Sequence, residues 1–167
     1  NSAYVSGNQT NFPVLVSLAS DSDLAAKAQA SGNDIVFTAS DGTTQIPHEI
    51  ENFTKSSGAL TAWVKVSQIS SAANTDIYLY YGNPTSTNQQ DTFNVWDANY
   101  VGVWHLQEAG TGAQGEYRDS TRNANNGQGG DGNSLFIPTR VAGKIGYAQN
   151  FSIADGEWDF IDVGQNS

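Results

Sequence analysis

The chain has 167 residues, 17 Asp and Glu against 7 Lys and Arg, a formal charge of −10, and neither Cys nor Met. That length holds one ordinary domain, or a small one with part of another, and without Cys its stability has to come from packing or a metal rather than from disulfides. The acidic balance disfavours nucleic acid and anionic membranes, which select basic patches, and leaves cations or neutral molecules as the expected partners.

In chain order, Phe12 to Leu18 reads as a half-buried strand with Val14, Val16 and Leu18 on one face. Ser20-Asp21-Ser22-Asp23 offers N-cap oxygens to a short Ala-rich helix, Leu24 to Ala30, that Gly32 would stop. Asp34 to Thr38 is the next strand, returned by a turn at Ser40-Asp41-Gly42. Three further strands are predicted at Gln45–Phe53, Ala59–Val66 and Thr75–Tyr81, the last with Ile77, Leu79 and Tyr81 opposed to Tyr78 and Tyr80. Short strands at this spacing predict an antiparallel β-sandwich with one short helix near residues 21–30.

Gly82-Asn83-Pro84 closes that block, and a boundary is placed between residues 91 and 97, giving segments 1–97 and 98–167. The second segment opens on a predicted strand, Tyr100 to Leu106, with both faces fairly apolar. A Gly/Asn/Asp/Gln-rich span from Ala109 to Ser134 follows, too poor in apolar residues to build a core. Leu135–Pro138, Gly146–Ser152 and Trp158–Val163 are the remaining predicted strands, with turns at Gly143 and at Ala154-Asp155-Gly156.

Asn11-Phe12-Pro13-Val14-Leu15-Val16, Asp34 to Thr38, His48-Glu49-Ile50-Glu51, Ala62 to Val66 and Ile77 to Pro84 form an ordered series. It resembles the domain-of-unknown-function family 2341 over roughly the first hundred residues. Val103-Trp104-His105-Leu106, Asp119 to Gly127, Gly143 to Ala148 and Asp159 to Gly164 are similar to the opening motifs of laminin-G/concanavalin-like lectin domains. The resemblance implies a partial jelly roll after the sandwich, in a secreted or cell-surface prokaryotic protein. Its later strands are missing here, so a fragment, or completion by a donated strand with self-association through open sheet edges, is expected.

Candidate chemistry is sparse. Glu157-Trp158-Asp159-Phe160-Ile161-Asp162 is similar to the paired-carboxylate strand of retaining jelly-roll glycosidases, and alternation would set Glu157 and Asp159 about 7 Å apart on one face. The acid position holds Asp162, however, and the same residues align equally well with non-catalytic lectin-like strands. His48 and His105 both lie within strand patterns and read as satisfied structural residues. For calcium, Asp119, Asn123 and Asn125 supply hard oxygens within one turn, with Asp131 or Asp155 as distant ligands; an Asx-rich turn bonding its own backbone is the competing reading. For sugar stacking, Trp96, Tyr117 and Trp158 lie in or beside loops with Arg118 close to Tyr117, whereas Trp63 and Trp104 are assigned to the interior.

The expected function is therefore a non-catalytic carbohydrate-binding or adhesive module, partnered by a glycan or another domain of its parent chain. A self-assembling β module and a glycoside hydrolase fragment using Glu157 and Asp159 are the alternatives. Sequons at Asn8, Asn52 and Asn150 read as chance occurrences.

Overall fold

The structure, a computed structural model, describes residues 1–153, 156 and 158–164. It is mostly β with antiparallel sheets, and divides into two compact units, Asn1–Val95 and Trp96–Ser167.

In the first unit, β1 (Gln9–Leu18), β4 (Ala59–Ile69) and β3 (His48–Thr54) form a three-stranded antiparallel sheet in the order β1-β4-β3. A second, two-stranded sheet pairs β2 (Val36–Thr38) with β5 (Tyr78–Tyr80). The period-2 pattern of β4 sends Leu60, Ala62, Val64 and Val66 inward, all buried, and leaves Trp63 and Lys65 on the opposite face. Leu60, Ala62 and Val64 share one core with Ile35, Phe37 and Ile46 and with Leu24 from the helix, so both sheets and the helix seal the same apolar volume. Burying one such Leu is worth about 2 kcal/mol, which makes this cluster the unit's main source of stability.

The helix α1 (Ser22–Lys27) starts where expected: Asp21 accepts from the N–H groups of Asp23 (2.9 Å) and Leu24 (2.8 Å). It ends earlier than predicted, with Ala28 already extended. The reason lies outside the helix. The buried Asp34 carboxylate accepts from the Gln29 N–H at 2.9 Å and from Gly82 at 2.6 Å, pulling the chain off the helical path before Gly32 is reached. Gly58 has φ +67°, and a Cβ there would stand 1.9 Å from the Asp21 carbonyl oxygen, so the turn before β4 packs against the helix cap at a distance only glycine allows.

The outer edge of β3 is occupied. Asp91 N–H donates to the His48 carbonyl (3.0 Å), Ile50 N–H donates to Gln90 Oε1 (2.6 Å), and α2 (Thr92–Val95) packs on β3 and β4. A bulge between Ile50 and Asn52 turns Glu51 toward Trp63, whose Nε1 donates to Glu51 Oε2 at 2.8 Å. Trp63 is thus a half-exposed residue of the outer face, not an interior one. His48 is interior but not satisfied, since neither ring nitrogen makes a hydrogen bond.

Among the described residues the second unit contains two two-stranded antiparallel ladders: β6 (Gln128–Gly129) with β9 (Ile161–Asp162), and β7 (Thr139–Ala142) with β8 (Tyr147–Asn150). The predicted strand from Tyr100 to Leu106 does not form beyond a single bridge, Trp104 to Asp119. Leu106 adopts φ 58°, which breaks extended backbone, and the Trp104 ring folds back over Gly102, where a Cβ would meet it at 2.1 Å. Leu135–Pro138 is likewise not a strand: Ser134–Phe136 makes a 3₁₀ turn capped by Asn133 Oδ1 on the Leu135 N–H. The unforeseen β7 is exposed at all four residues, and Arg140 lies 4.3 Å over the Tyr147 ring.

Candidate functional site

The span from Ala109 to Ser134, expected to be loop throughout, is mostly loop but contains β6 and a 3₁₀ turn at Gly130–Gly132, and it is the organised centre of the second unit. Beside the buried Trp96, Tyr117 and Pro138, two carboxylates tie its turns together. Asp119 is 7% exposed and accepts four hydrogen bonds: Oδ1 from the N–H groups of Val103 (2.9 Å) and Thr121 (2.9 Å), Oδ2 from Thr121 Oγ1 (2.8 Å) and Asn125 N–H (2.9 Å). Glu116 does the same for the preceding turn. Its Oε2 takes the Thr111 N–H (2.6 Å) and hydroxyl (2.8 Å), and its Oε1 takes the N–H groups of Gly112 (3.0 Å) and Gly129 (3.2 Å).

Burial by itself raises the pKa of each carboxyl, but these donors outweigh it and hold both below their ordinary values. Both are ionised acceptors with their lone pairs committed. Tyr117, between them in sequence, is fully buried, and burial together with the Glu116 and Glu108 charges pushes its phenol up to about 12. It stays protonated and points its hydroxyl toward Gln149 Oε1 at 3.4 Å.

The Asp119 turn holds a surface groove of about 520 Å³ lined by Ala98, Tyr100, Val101, Asn123 and Asn125. Asn123 Nδ2 donates to the carbonyls of Tyr100 (3.1 Å) and Val101 (2.9 Å), and Asn125 Nδ2 donates to Val101 (2.9 Å). Trp104 Nε1 donates to the Asn125 carbonyl (2.9 Å), and the Trp96 ring meets Tyr100 edge-on at 5.2 Å. Both walls are therefore fixed from behind, one by Asp119 and Trp104, the other by Trp96. The lining has an aromatic ring, an exposed Val101 side chain and two carboxamides; it carries no charged group and no nucleophile.

Of the residues expected to stack on sugar, Trp96 is 7% exposed and Tyr117 fully buried, so neither presents a ring face. Arg118 and Trp158 are exposed but do not line the groove. Tyr100, its aromatic member, falls in a strand by the sequence pattern; the turn-forming Asp97-Ala98-Asn99 before it is the signal that places it at a loop mouth.

The residues expected to bind calcium do meet, but as a hydrogen-bonded turn. All of the Asp119 lone pairs face donors, and Asn123 and Asn125 turn their NH₂ groups, not their oxygens, onto the facing strand of chain. Among the described residues no group of three or more His, Cys, Asp or Glu could hold a metal ion. Asp131 is exposed in a 3₁₀ turn, while Asp155 and Glu157 lie outside the described residues. Asp159 accepts from the Ser152 N–H (2.8 Å) and Asp162 from the Gly164 N–H (2.8 Å). No helix among the described residues is long and apolar enough to cross a membrane.

No curated protein and no solved structure matches the chain. The family model described as Domain of unknown function (DUF2341) matches residues 31–105, a stretch that begins after α1, runs through β2–β5 and α2, and ends at His105, past Tyr100 and Val101.

Proposed function

We propose that this chain is a non-catalytic carbohydrate-binding module of a secreted or cell-surface prokaryotic protein, and that the Tyr100–Asn123–Asn125 groove is its glycan seat. The observation that carries this reading is a neutral, amide-lined groove whose walls are held before any ligand arrives, which lowers the ordering cost of binding. Asn123 Oδ1 is left to accept from a hydroxyl, and the Tyr100 ring and the Val101 side chain offer apolar surface for a pyranose face. A neutral glycan suits this lining better than a uronate or sulfated one, because no cation lines the groove and the chain carries a charge of −10. The likeness of the second segment to laminin-G/concanavalin-like opening motifs points the same way at the level of fold.

A glycan array probed with the full chain tests the proposal. Neutral oligosaccharides should be retained by the wild type and lost by Tyr100→Ala. Retention of no glycan, with or without calcium, would overturn it. A second reading, assembly through strand pairing, is favoured by one observation: β1, ten residues long, stands at the margin of its sheet and among the described residues has a partner strand on one side only. Light scattering across a concentration series that reports a monomer throughout would remove it.

A further inference from the structure

We propose that His48 is an acid-sensitive latch of the Asn1–Val95 unit, neutral while the sandwich core is closed and, once protonated, driving the β3 side of the core open. His48 is the first residue of β3, pairs with Val64, and is fully buried on the core side, its ring 5.3 Å from that of Phe37. Neither Nδ1 nor Nε2 makes a hydrogen bond. A neutral imidazole carries one donor and one acceptor, so an apolar residue of similar size would suit this position better at neutral pH. An imidazolium there would put a full charge against the apolar core with only the Ile46 and Ile35 carbonyls and the exposed Asp91 to offset it, and burial outweighs them.

Two carboxylates of this unit are buried, Glu49 and Asp34, and Asp34, one residue before Ile35, accepts from the N–H groups of Gln29 (2.9 Å) and Gly82 (2.6 Å). β1 and β2 have no ionisable side chain, and on β4 the neighbours of Val64, Trp63 and Lys65, lie on the opposite face. Glu49 also lies on that face, across from Trp63; α2 has no ionisable residue, and the exposed Asp23 and Lys27 of α1 pair with each other. On β5 the two tyrosines are exposed and only Leu79 joins the core. The one carboxylate that acts on the ring is the exposed Asp91, beside the His48 carbonyl. Burial lowers the His48 pKa from its ordinary value and prevails over the raising effects of the Ile46 and Ile35 carbonyls and of Asp91.

The sign follows from linkage. Above about pH 6.5 neither the open nor the closed state binds a proton at His48; below it the open state does and the closed state does not, so opening becomes more favourable by about tenfold per pH unit until the lowered pKa is reached.

The test is hydrogen exchange of the β3 and β4 amides in the full chain at pH 7.5, 6.5 and 5.5, corrected for intrinsic exchange. The wild type and a His105→Gln control should open more as pH falls, by up to about fivefold between pH 6.5 and 5.5 and up to about tenfold between 7.5 and 5.5, and His48→Leu should show no change across this range. Equal opening of the wild type at both pH values, or a rise that persists in His48→Leu, would overturn the proposal. If His48→Leu does not fold, long-range ¹H–¹⁵N spectra of the wild type across the pH series decide: a His48 ring that protonates at lower pH in the native protein than in the unfolded chain supports the latch, and one that protonates at the same or higher pH with the core intact refutes it.

Discussion

Replacing Asp119 by Ala removes four accepted hydrogen bonds at once from a site that is 7% exposed. Hydrogen bonds to a charged acceptor are each worth about 1.5–3 kcal/mol net, but four bonds to one group are not additive. The dominant loss is the stranding of donors: Thr121 is buried and its N–H has no other acceptor, whereas Val103 and Asn125 are partly exposed and recover some solvation. The expected cost is about 3–5 kcal/mol, from buried donors at Thr121 stranded at about 1–3 kcal/mol each with smaller losses at Val103 and Asn125. Asp119→Asn keeps the shape and one acceptor but aims an NH₂ at existing donors, so it should cost about 2–3 kcal/mol. Urea unfolding followed by Trp fluorescence, with hydrogen exchange over residues 100–127 to localise the effect, measures both. A loss below about 0.5 kcal/mol for Asp119→Ala, the scale of an ordinary surface change, would refute the assignment of Asp119 as the organiser of this unit.

Three further outcomes follow. Because the folded pKa values of Asp119 and Glu116 lie below their ordinary values of 3.8 and 4.5, their contribution is present above those values and lost as pH falls through the folded ones. Exchange protection of residues 103–129 should therefore hold at pH 5 and decline below about pH 4, and in Asp119→Asn that decline should be shallower. Calcium at millimolar concentration, or its chelation, should leave the melting temperature unchanged; a cation bound only to the native form would instead add about 2.7 kcal/mol at a hundred times its dissociation constant. Gly58→Ala should destabilise the first unit by more than the ordinary cost at a positive-φ glycine, because the new methyl meets the Asp21 carbonyl oxygen at 1.9 Å; a change within about 0.5 kcal/mol in a denaturant melt would contradict that contact.

The first unit was legible because its stability resides in apolar alternation, which is written directly into β4 and into Ile77, Leu79 and Tyr81 of the β5 segment. Its helix end was not legible, since the residue that terminates it, Asp34, acts through space on Gln29 and Gly82. In the second unit a run of Asp, Ser, Thr and Asn serves a cation or its own backbone equally well, so the four donors that meet Asp119 are not legible in the residue types. Glu116 carried no signal at all: its four donors come from Thr111, Gly112 and Gly129, two of them glycine amides that composition cannot distinguish from slack loop. Trp96 and Tyr117 lie where loops were expected, and loops there have an interior.

The most direct measurement is an NMR titration of the full chain with neutral oligosaccharides at millimolar concentration, following the side-chain amides of Asn123 and Asn125 and the ring of Tyr100. A saturable shift of all three, abolished together with the groove in Asp119→Ala, is the predicted result. Binding that leaves these signals still and moves Trp158 or the β-sandwich instead would contradict it.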